Sequence, residues 1–187
     1  MTRIAISKVT QLQSGVYLKT ADENQKTFLI GLKDFDEDLS FLGGSVFVDR
    51  DEVREKHIIE ENDVLFSTRL KFNAFRLPQT EDVYVASNSF IIVKPNLDKV
   101  LPNYLVWYLN HPDIQKQLAL MAQSSSRMPY ISLKKIAGLE INLPQLLDQK
   151  RIIELDKLFK KEKSITQQLL AKKEELYQNI LLGISEK

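Results

Sequence analysis

The chain has 187 residues, 43% of them hydrophobic, with 26 basic against 25 acidic side chains and no cysteine. That length holds one ordinary domain and a long helix, and the composition excludes a disulfide framework, a thiolate metal site and a cysteine nucleophile. No apolar run approaches the roughly 20 residues of a membrane span and no leader pattern opens the chain, so a cytoplasmic protein is expected.

Residues 1–20 carry three bases and no acid. Within them the pattern from Ile4 to Val16 is short and ends at Gly15, where a turn is expected. Thr27–Leu32 is the next predicted strand, followed by an acidic loop from Asp34 to Ser40 and a turn at Gly43 and Gly44. Ser45–Val48 alternates as a strand does, and Glu60, Glu61 and Asn62 form a polar turn before a strand at Val64–Ser67. Segment 21–63 holds 13 acids and 5 bases, whereas 64–139 holds 9 bases and 4 acids. Such segregation suits a domain offering one face to a polyanion and another to a basic protein, although charge blocks also arise as plain solvated surface.

Strands are expected at Val83–Ala86 and Ser89–Val93, the second stopped by Pro95. The apolar period then changes. Pro102 suits the first turn of a helix whose Tyr104, Leu105, Tyr108 and Leu109 share a face, giving Pro102–Asn110, with a second helix at Asp113–Met121. A serine-rich loop follows at 123–127, then a short segment Ile131–Ala137, Gly138, and a strand Leu139–Leu143. Pro144 separates this body from a single predicted helix over Gln145–Leu182. The fold class is therefore α+β, with a strand-rich domain over 1–144 and a helical region over 145–187.

Heptad spacing runs through the last helix: Leu155, Leu158, Glu162, Ile165, Leu169, Lys172, Leu176 and Ile180 form one seam, interrupted by the polar Glu162 and Lys172, and Asn179 occupies a third polar seam position. At about 1.5 Å per residue the helix spans roughly 57 Å, longer than the preceding domain can cover. If two copies run antiparallel and cross at Gln167, facing residue numbers sum to 334; Glu162 then meets Lys172, Ile165 meets Leu169 and Leu158 meets Leu176. Sliding the pairing by one heptad sets those charges against apolar partners, so the first register is the self-consistent one. The alternative is an amphipathic helix packed along its own domain or in a parallel bundle.

Catalytic chemistry is poorly supplied. His57 and His111 are the only histidines, neither at metal-ligand spacing, and both are expected on the surface. Gly43-Gly44 lacks the flanking pattern of a phosphate-cradling loop, and neither a metal nor another cofactor is implied. Binding chemistry is richer. The stretch from Phe66 to Arg76 combines Arg69, Lys71, Asn73 and Arg76 with two hydroxyls and three aromatics, and no acid lies between Val64 and Thr80. Guanidinium forks onto guanine acceptors, asparagine pairs with adenine, and lysine and hydroxyls hold the phosphate backbone. The same residues also suit a core whose cations lie along its rim. Ser125, Arg127 and Lys134, in a second acid-free stretch from Ile114 to Leu139, are the next choice for DNA contact.

The runs NDVLFSTR, SNSFIIVKP, PNYLVWYLNHPDIQKQL, QSSSRMPYIS and LEINLPQLLDQKRI, in that order and leading into the long helix, resemble the specificity subunit of type I restriction-modification systems. The resemblance covers essentially the whole chain and is most specific from Pro102 to Ile153. It implies a non-catalytic target recognition domain that reads duplex DNA, with a helix as spacer. The implied partners are double-stranded DNA, a DNA adenine methyltransferase subunit and, in systems that have one, a restriction subunit. Full subunits of that family carry two recognition domains and two antiparallel helices in one chain, whereas this sequence carries one of each. Asn62 stands where the family often has glycine, and the serine loop lacks the family's usual glycine. Two copies pairing through the seam are expected to rebuild the pseudo-symmetric arrangement and to read an inverted, interrupted palindrome with halves no more than about 17 base pairs apart. A protein-protein adaptor that uses the acidic 21–63 segment and the long helix is the alternative; salt-dependent affinity for DNA separates the two.

Overall fold

The computed structural model describes residues 2–21, 26–69, 71–122 and 129–185. Eight strands and four α-helices follow in chain order: β1 (Thr2–Ala5), β2 (Thr10–Ser14), β3 (Thr27–Ile30), β4 (Val64–Ser67), β5 (Ala74–Phe75), β6 (Val83–Ala86), β7 (Phe90–Pro95), α1 (Pro102–Leu109), α2 (Pro112–Ala122), α3 (Leu133–Ala137), β8 (Glu140–Leu143) and α4 (Leu146–Ser185). Two compact units result, 1–149 and 150–187.

The first unit is built on an antiparallel sheet of order β2-β7-β4-β5. Its strand β4 is buried along its whole length, because the apolar Val64, Leu65 and Phe66 are covered on both faces and the Ser67 hydroxyl is satisfied by the Arg69 carbonyl. One face packs Leu65, Phe75, Phe90 and Ile92 against Ile30 of β3, Tyr84 and Ala86 of β6, and Phe35. The alternate residues Val64, Phe66, Ile91 and Val93 point the other way and are equally buried, and α1 packs against β4 and β5. Strands β3 and β6 run parallel as a separate pair, and β1 pairs antiparallel with β8 in a two-stranded ribbon. That ribbon brings the first residues against residue 140 and beyond. Tyr104 and Tyr108 of α1 lock it: the Tyr104 hydroxyl donates to the Asn142 carbonyl at 2.7 Å, and Asn142 N–H donates to the Tyr108 oxygen at 3.2 Å. Burial and the neighbouring Tyr108 push the Tyr104 hydroxyl up to about 12, so it keeps its proton and donates throughout the neutral range.

The segment from Ile4 to Val16, read only as a short pattern ending at Gly15, holds the end of β1 and all of β2, with a 3-10 turn at Ile6–Lys8 between them. Gly15 follows β2 because a Cβ there would sit 2.0 Å from the Ser87 carbonyl oxygen, a close approach only glycine permits. Ser45–Val48 gives an isolated bridge between Phe47 and Phe28 instead of a full strand. The long helix runs beyond its expected end at Leu182 to Ser185, passing through Gly183.

His57 corrects an expectation. Taken from the sequence as a surface residue, it is 8% exposed, and its Nδ1 is buried without a hydrogen-bond partner. Burial chiefly, together with the Lys56 and Arg54 charges, lowers its pKa, against a raising contribution from the Ser14 backbone. The fold therefore prefers the neutral ring, and the associated stability is present above the ordinary histidine pKa and is lost as pH falls through the lowered one. Urea unfolding should accordingly give a lower midpoint at pH 5.5 than at pH 7.5. In His57→Gln that difference should shrink; an undiminished difference would assign the pH dependence to other groups.

Candidate nucleic-acid interface

The segment after β4 is held by a dense set of local bonds. Ser67 N–H donates to the Asn73 carbonyl at 2.9 Å, and Asn73 N–H donates to the Lys71 carbonyl at 2.9 Å, which closes the β4–β5 connection into a short loop. The Ser67 hydroxyl donates to the Arg69 carbonyl at 2.8 Å, and the Thr68 hydroxyl donates to the Ser89 carbonyl at 3.0 Å. From the other side Asn110 brackets β5, its Oδ1 accepting from Ala74 N–H and its Nδ2 donating to the Ala74 carbonyl, both at 2.8 Å. Gln115 donates to the Phe72 carbonyl at 2.8 Å, and Phe72 itself is buried. Hydroxyl and amide side chains thus occupy the backbone groups that a two-residue strand leaves unpaired.

On this anchored loop the predicted contact residues have different surroundings. Arg69 and Lys71 are exposed and Asn73 is half-buried. Arg76 is engaged instead within the fold: its terminal nitrogens donate to Asn103 Oδ1 at 2.7 Å and to the Glu61 carbonyl at 2.8 Å, while its Nε is buried without a partner. Two donors committed to such bonds leave Arg76 poorly placed to read a base edge without giving them up. Lys134 is exposed on α3, whose N-cap Ser132 accepts from Lys135 N–H at 3.3 Å. Ser125 and Arg127 lie outside the described residues.

The two acid-free stretches meet. Ile131 N–H donates to the Thr68 carbonyl at 3.0 Å, Arg69 and Tyr130 form an antiparallel bridge, and the Arg69 guanidinium lies 5.8 Å from the centre of the Tyr130 ring. A guanidinium resting on an aromatic face is oriented at small entropic cost and keeps its in-plane donors outward. Tyr130 was legible only as part of the QSSSRMPYIS run; its signal was an aromatic within an acid-free segment, and pairing with a loop 60 residues away cannot be read from that.

A second turn stabilises the strand that leads to this loop. Asp63, in the NDVLFSTR run and 3% exposed, accepts from Glu60 N–H at 2.9 Å and pairs with Lys94 Nζ at 3.1 Å. Lys94 is thereby occupied, since it also lies 3.1 Å from Glu60. Among the described residues no group of three His, Cys, Asp or Glu side chains is arranged to hold a metal ion, and no helix is long and apolar enough to cross a membrane.

The second unit, 150–187, is helical from Lys150 to Ser185. Its seam residues are exposed: Leu155 67%, Leu158 62%, Ile165 55%, Leu169 52%, Leu176 58% and Ile180 49%, with Glu162 and Lys172 exposed between them. Phe159, Leu170, Tyr177 and Leu181 are exposed as well, and each follows a seam residue by one position. The apolar face is therefore wider than the strip one facing helix covers.

The comparisons agree with this architecture. Residues 9–175 match the family model described as the type I restriction modification DNA specificity domain. The specificity subunit of the type I restriction enzyme HindI from Haemophilus influenzae is 28% identical over 103 residues, covering 54% of this chain and 22% of that protein. The crystal structure of the HsdS subunit from Thermoanaerobacter tengcongensis aligns with a TM-score of 0.65 at 18% identity, over 86% of this chain and 37% of that one. The S subunit of the M. genitalium type I restriction-modification system aligns with a TM-score of 0.57 at 12% identity, over 86% of this chain and 39% of that one. This chain therefore spans well under half the length of each of these relatives. A domain model matched over nearly the full length, with a strand-rich body and a long helix shared with solved specificity subunits, settles the assignment: the chain belongs to the type I restriction modification DNA specificity family.

Proposed function

We propose that this chain is a non-catalytic, cytoplasmic DNA sequence-recognition subunit that pairs antiparallel with a second copy through α4 and directs an adenine methyltransferase to a bipartite site. The observation that carries the pairing is the exposed seam, in which six large apolar residues lie along a face interrupted by one acid and one base. An unpartnered stripe of that size is costly in water, and the antiparallel register buries it while matching Glu162 with Lys172 twice. Leu155 falls opposite Asn179 in that register, so the ends of the contact contribute less than its centre. The neighbouring apolar positions at Phe159, Leu170, Tyr177 and Leu181 supply a second strip, which suits a helix of the methyltransferase.

Reading of DNA falls to the first unit. Arg69, oriented on Tyr130, takes the base-reading role, and Lys71 and Lys134 take phosphate. Arg69→Ala should weaken binding to the specific duplex by about 1–3 kcal/mol while leaving random duplex nearly unaffected. Parallel titrations of the two duplexes check this; equal loss on both would make Arg69 a phosphate contact, with the salt slope lowered by about one. The experiment that tests the function as a whole is sequencing of methylated adenines in cells carrying the methyltransferase with and without this chain. A set of inverted, interrupted sites that appears only when both are present is the expected result, and an unchanged methylation pattern would refute the reading.

A further inference from the structure

Beside the recognition loop lies an open apolar recess of about 690 Å³. Its walls are Phe35, Leu39 and Phe75, with the Phe35 and Phe75 rings 4.1 Å apart between centroids. One lip is the acidic loop after β3, the other the β4–β5 connection. The acidic loop is held rigidly. Asp34, 1% exposed, accepts from Gly31 N–H at 2.8 Å and from the Ser45 hydroxyl, Asp36 accepts from Ser40 N–H at 2.8 Å, and Leu39 adopts a left-handed φ of 66°. A non-glycine residue in that region stores strain that the surrounding bonds must hold, and here it presents the Leu39 side chain to the recess.

Four polar residues rim this apolar space, Asp36 and Glu37 on the acidic lip and Lys71 and Asn73 on the other; Asp36 is engaged by Ser40 N–H, which leaves the side chains of Glu37, Lys71 and Asn73. None of the three side chains makes a hydrogen bond or ion pair among the described residues. Their chemistries are complementary: an acceptor-only carboxylate, an amide that donates and accepts, and a cation. That set, above apolar walls, is what a single nucleotide removed from its stack requires. The base is shielded from water, its edge is read by carboxylate and amide, and its phosphate is neutralised.

We propose that this recess receives one nucleobase turned out of the duplex next to the recognition loop, an inference that rests on the DNA-binding role proposed above. The carboxylate of Glu37 selects among bases. On the Watson–Crick edge of an extruded base guanine offers it N1–H and an amino group together, and adenine and cytosine an amino group, whereas thymine offers one N3–H between two carbonyl oxygens that repel it. Lys71 then contacts the phosphate beside the extruded nucleotide, offsetting the repulsion that the acidic lip exerts on DNA.

The test uses the full chain without its methyltransferase, so that no base is extruded by the enzyme. Duplexes spanning the methylated site carry 2-aminopurine at one position at a time, and its fluorescence rises when it leaves the stack. A severalfold rise at one position in each half-site is expected, with bases bearing an amino group preferred over thymine there by roughly tenfold. In Glu37→Gln that preference should narrow toward parity. In Leu39→Trp, with folding confirmed by thermal unfolding, the filled recess should abolish the rise. Specific binding with no unstacked position, or a rise that persists undiminished in Leu39→Trp, overturns the inference and leaves the subunit role standing. Photo-cross-linking from position 39 to a methyltransferase segment instead of DNA would also overturn it. Absence of any specific binding by the chain would reject the parent reading itself.

Discussion

A chain with aspartate at both Ile165 and Leu169 is expected to behave as a single copy at micromolar concentration, while the unaltered chain behaves as two. In the antiparallel register these positions face each other across the centre, so the pair of substitutions removes four apolar side chains from two adjacent layers. Each buried side chain of this size contributes about 1.5–3 kcal/mol, so the loss is at least about 6 kcal/mol, on the order of 10⁴-fold in dissociation constant. Both positions are more than half exposed in the single chain, so the substitutions should leave the first unit's unfolding unchanged. Sedimentation equilibrium reads the outcome. Polarity is read separately, and the absence of native cysteine simplifies it. Leu158→Cys mixed with Leu176→Cys should form a disulfide between chains, whereas Leu158→Cys alone should not. A strong Leu158→Cys homodimer would indicate a parallel pair and sink the rebuilt two-fold subunit. Loss of pairing should also abolish directed methylation, because one recognition unit reads only half of a bipartite site.

The sequence disclosed most where a periodic signal was long. The helix over α4, the face formed by Tyr104, Leu105, Tyr108 and Leu109, and the strands expected at Val64–Ser67 and Ser89–Val93 all form as their patterns indicate. What it did not disclose depends on contacts between distant segments. Strand β5 is two residues long and sits inside a stretch rich in cations; nothing local marks it as paired, and it is set by its register against Leu65 and Phe66 and by the two bonds of Ala74 to Asn110. Arg76 had the same local appearance as Arg69, yet one is committed to Asn103 and Glu61 and the other lies over Tyr130. His57, among charged neighbours, read as surface because charge runs are usually solvated, but the segment around it folds inward beside Val53 and Ile58. Composition identifies which chemistry is available; which copy of that chemistry faces solvent is fixed by pairings tens of residues apart.

Replacing Gln149 with leucine should destabilise the first unit by about 3 kcal/mol or more. Gln149 stands between aspartate and lysine near the start of α4, yet it is 0% exposed. Its Oε1 accepts from Leu101 N–H at 2.8 Å, and its Nε2 donates to the carbonyls of Lys99 at 2.9 Å and Pro144 at 2.9 Å. Leu101 is the N-cap residue of α1, and by accepting from its N–H Gln149 supplies from another element the bond that a glutamate or glutamine at the third helical position makes in a capping box, where α1 has Tyr104. Leucine preserves much of the volume but deprives one N–H and two carbonyls of the partners that Gln149 gives them, each loss worth about 1 kcal/mol or more. Urea denaturation should show the midpoint lowered by about 1–2 M at a typical slope for a domain of this size. Glutamate at this position keeps the acceptor for Leu101 but presents a charge to two carbonyls. It should be destabilising at neutral pH and recover part of the loss as the pH falls and the buried carboxyl takes a proton, a dependence leucine should lack. Lys150→Ala, at an exposed position one residue on, should change stability by less than about 0.5 kcal/mol. If leucine at 149 proved as harmless as alanine at 150, the three hydrogen bonds would not be what secures the start of α1.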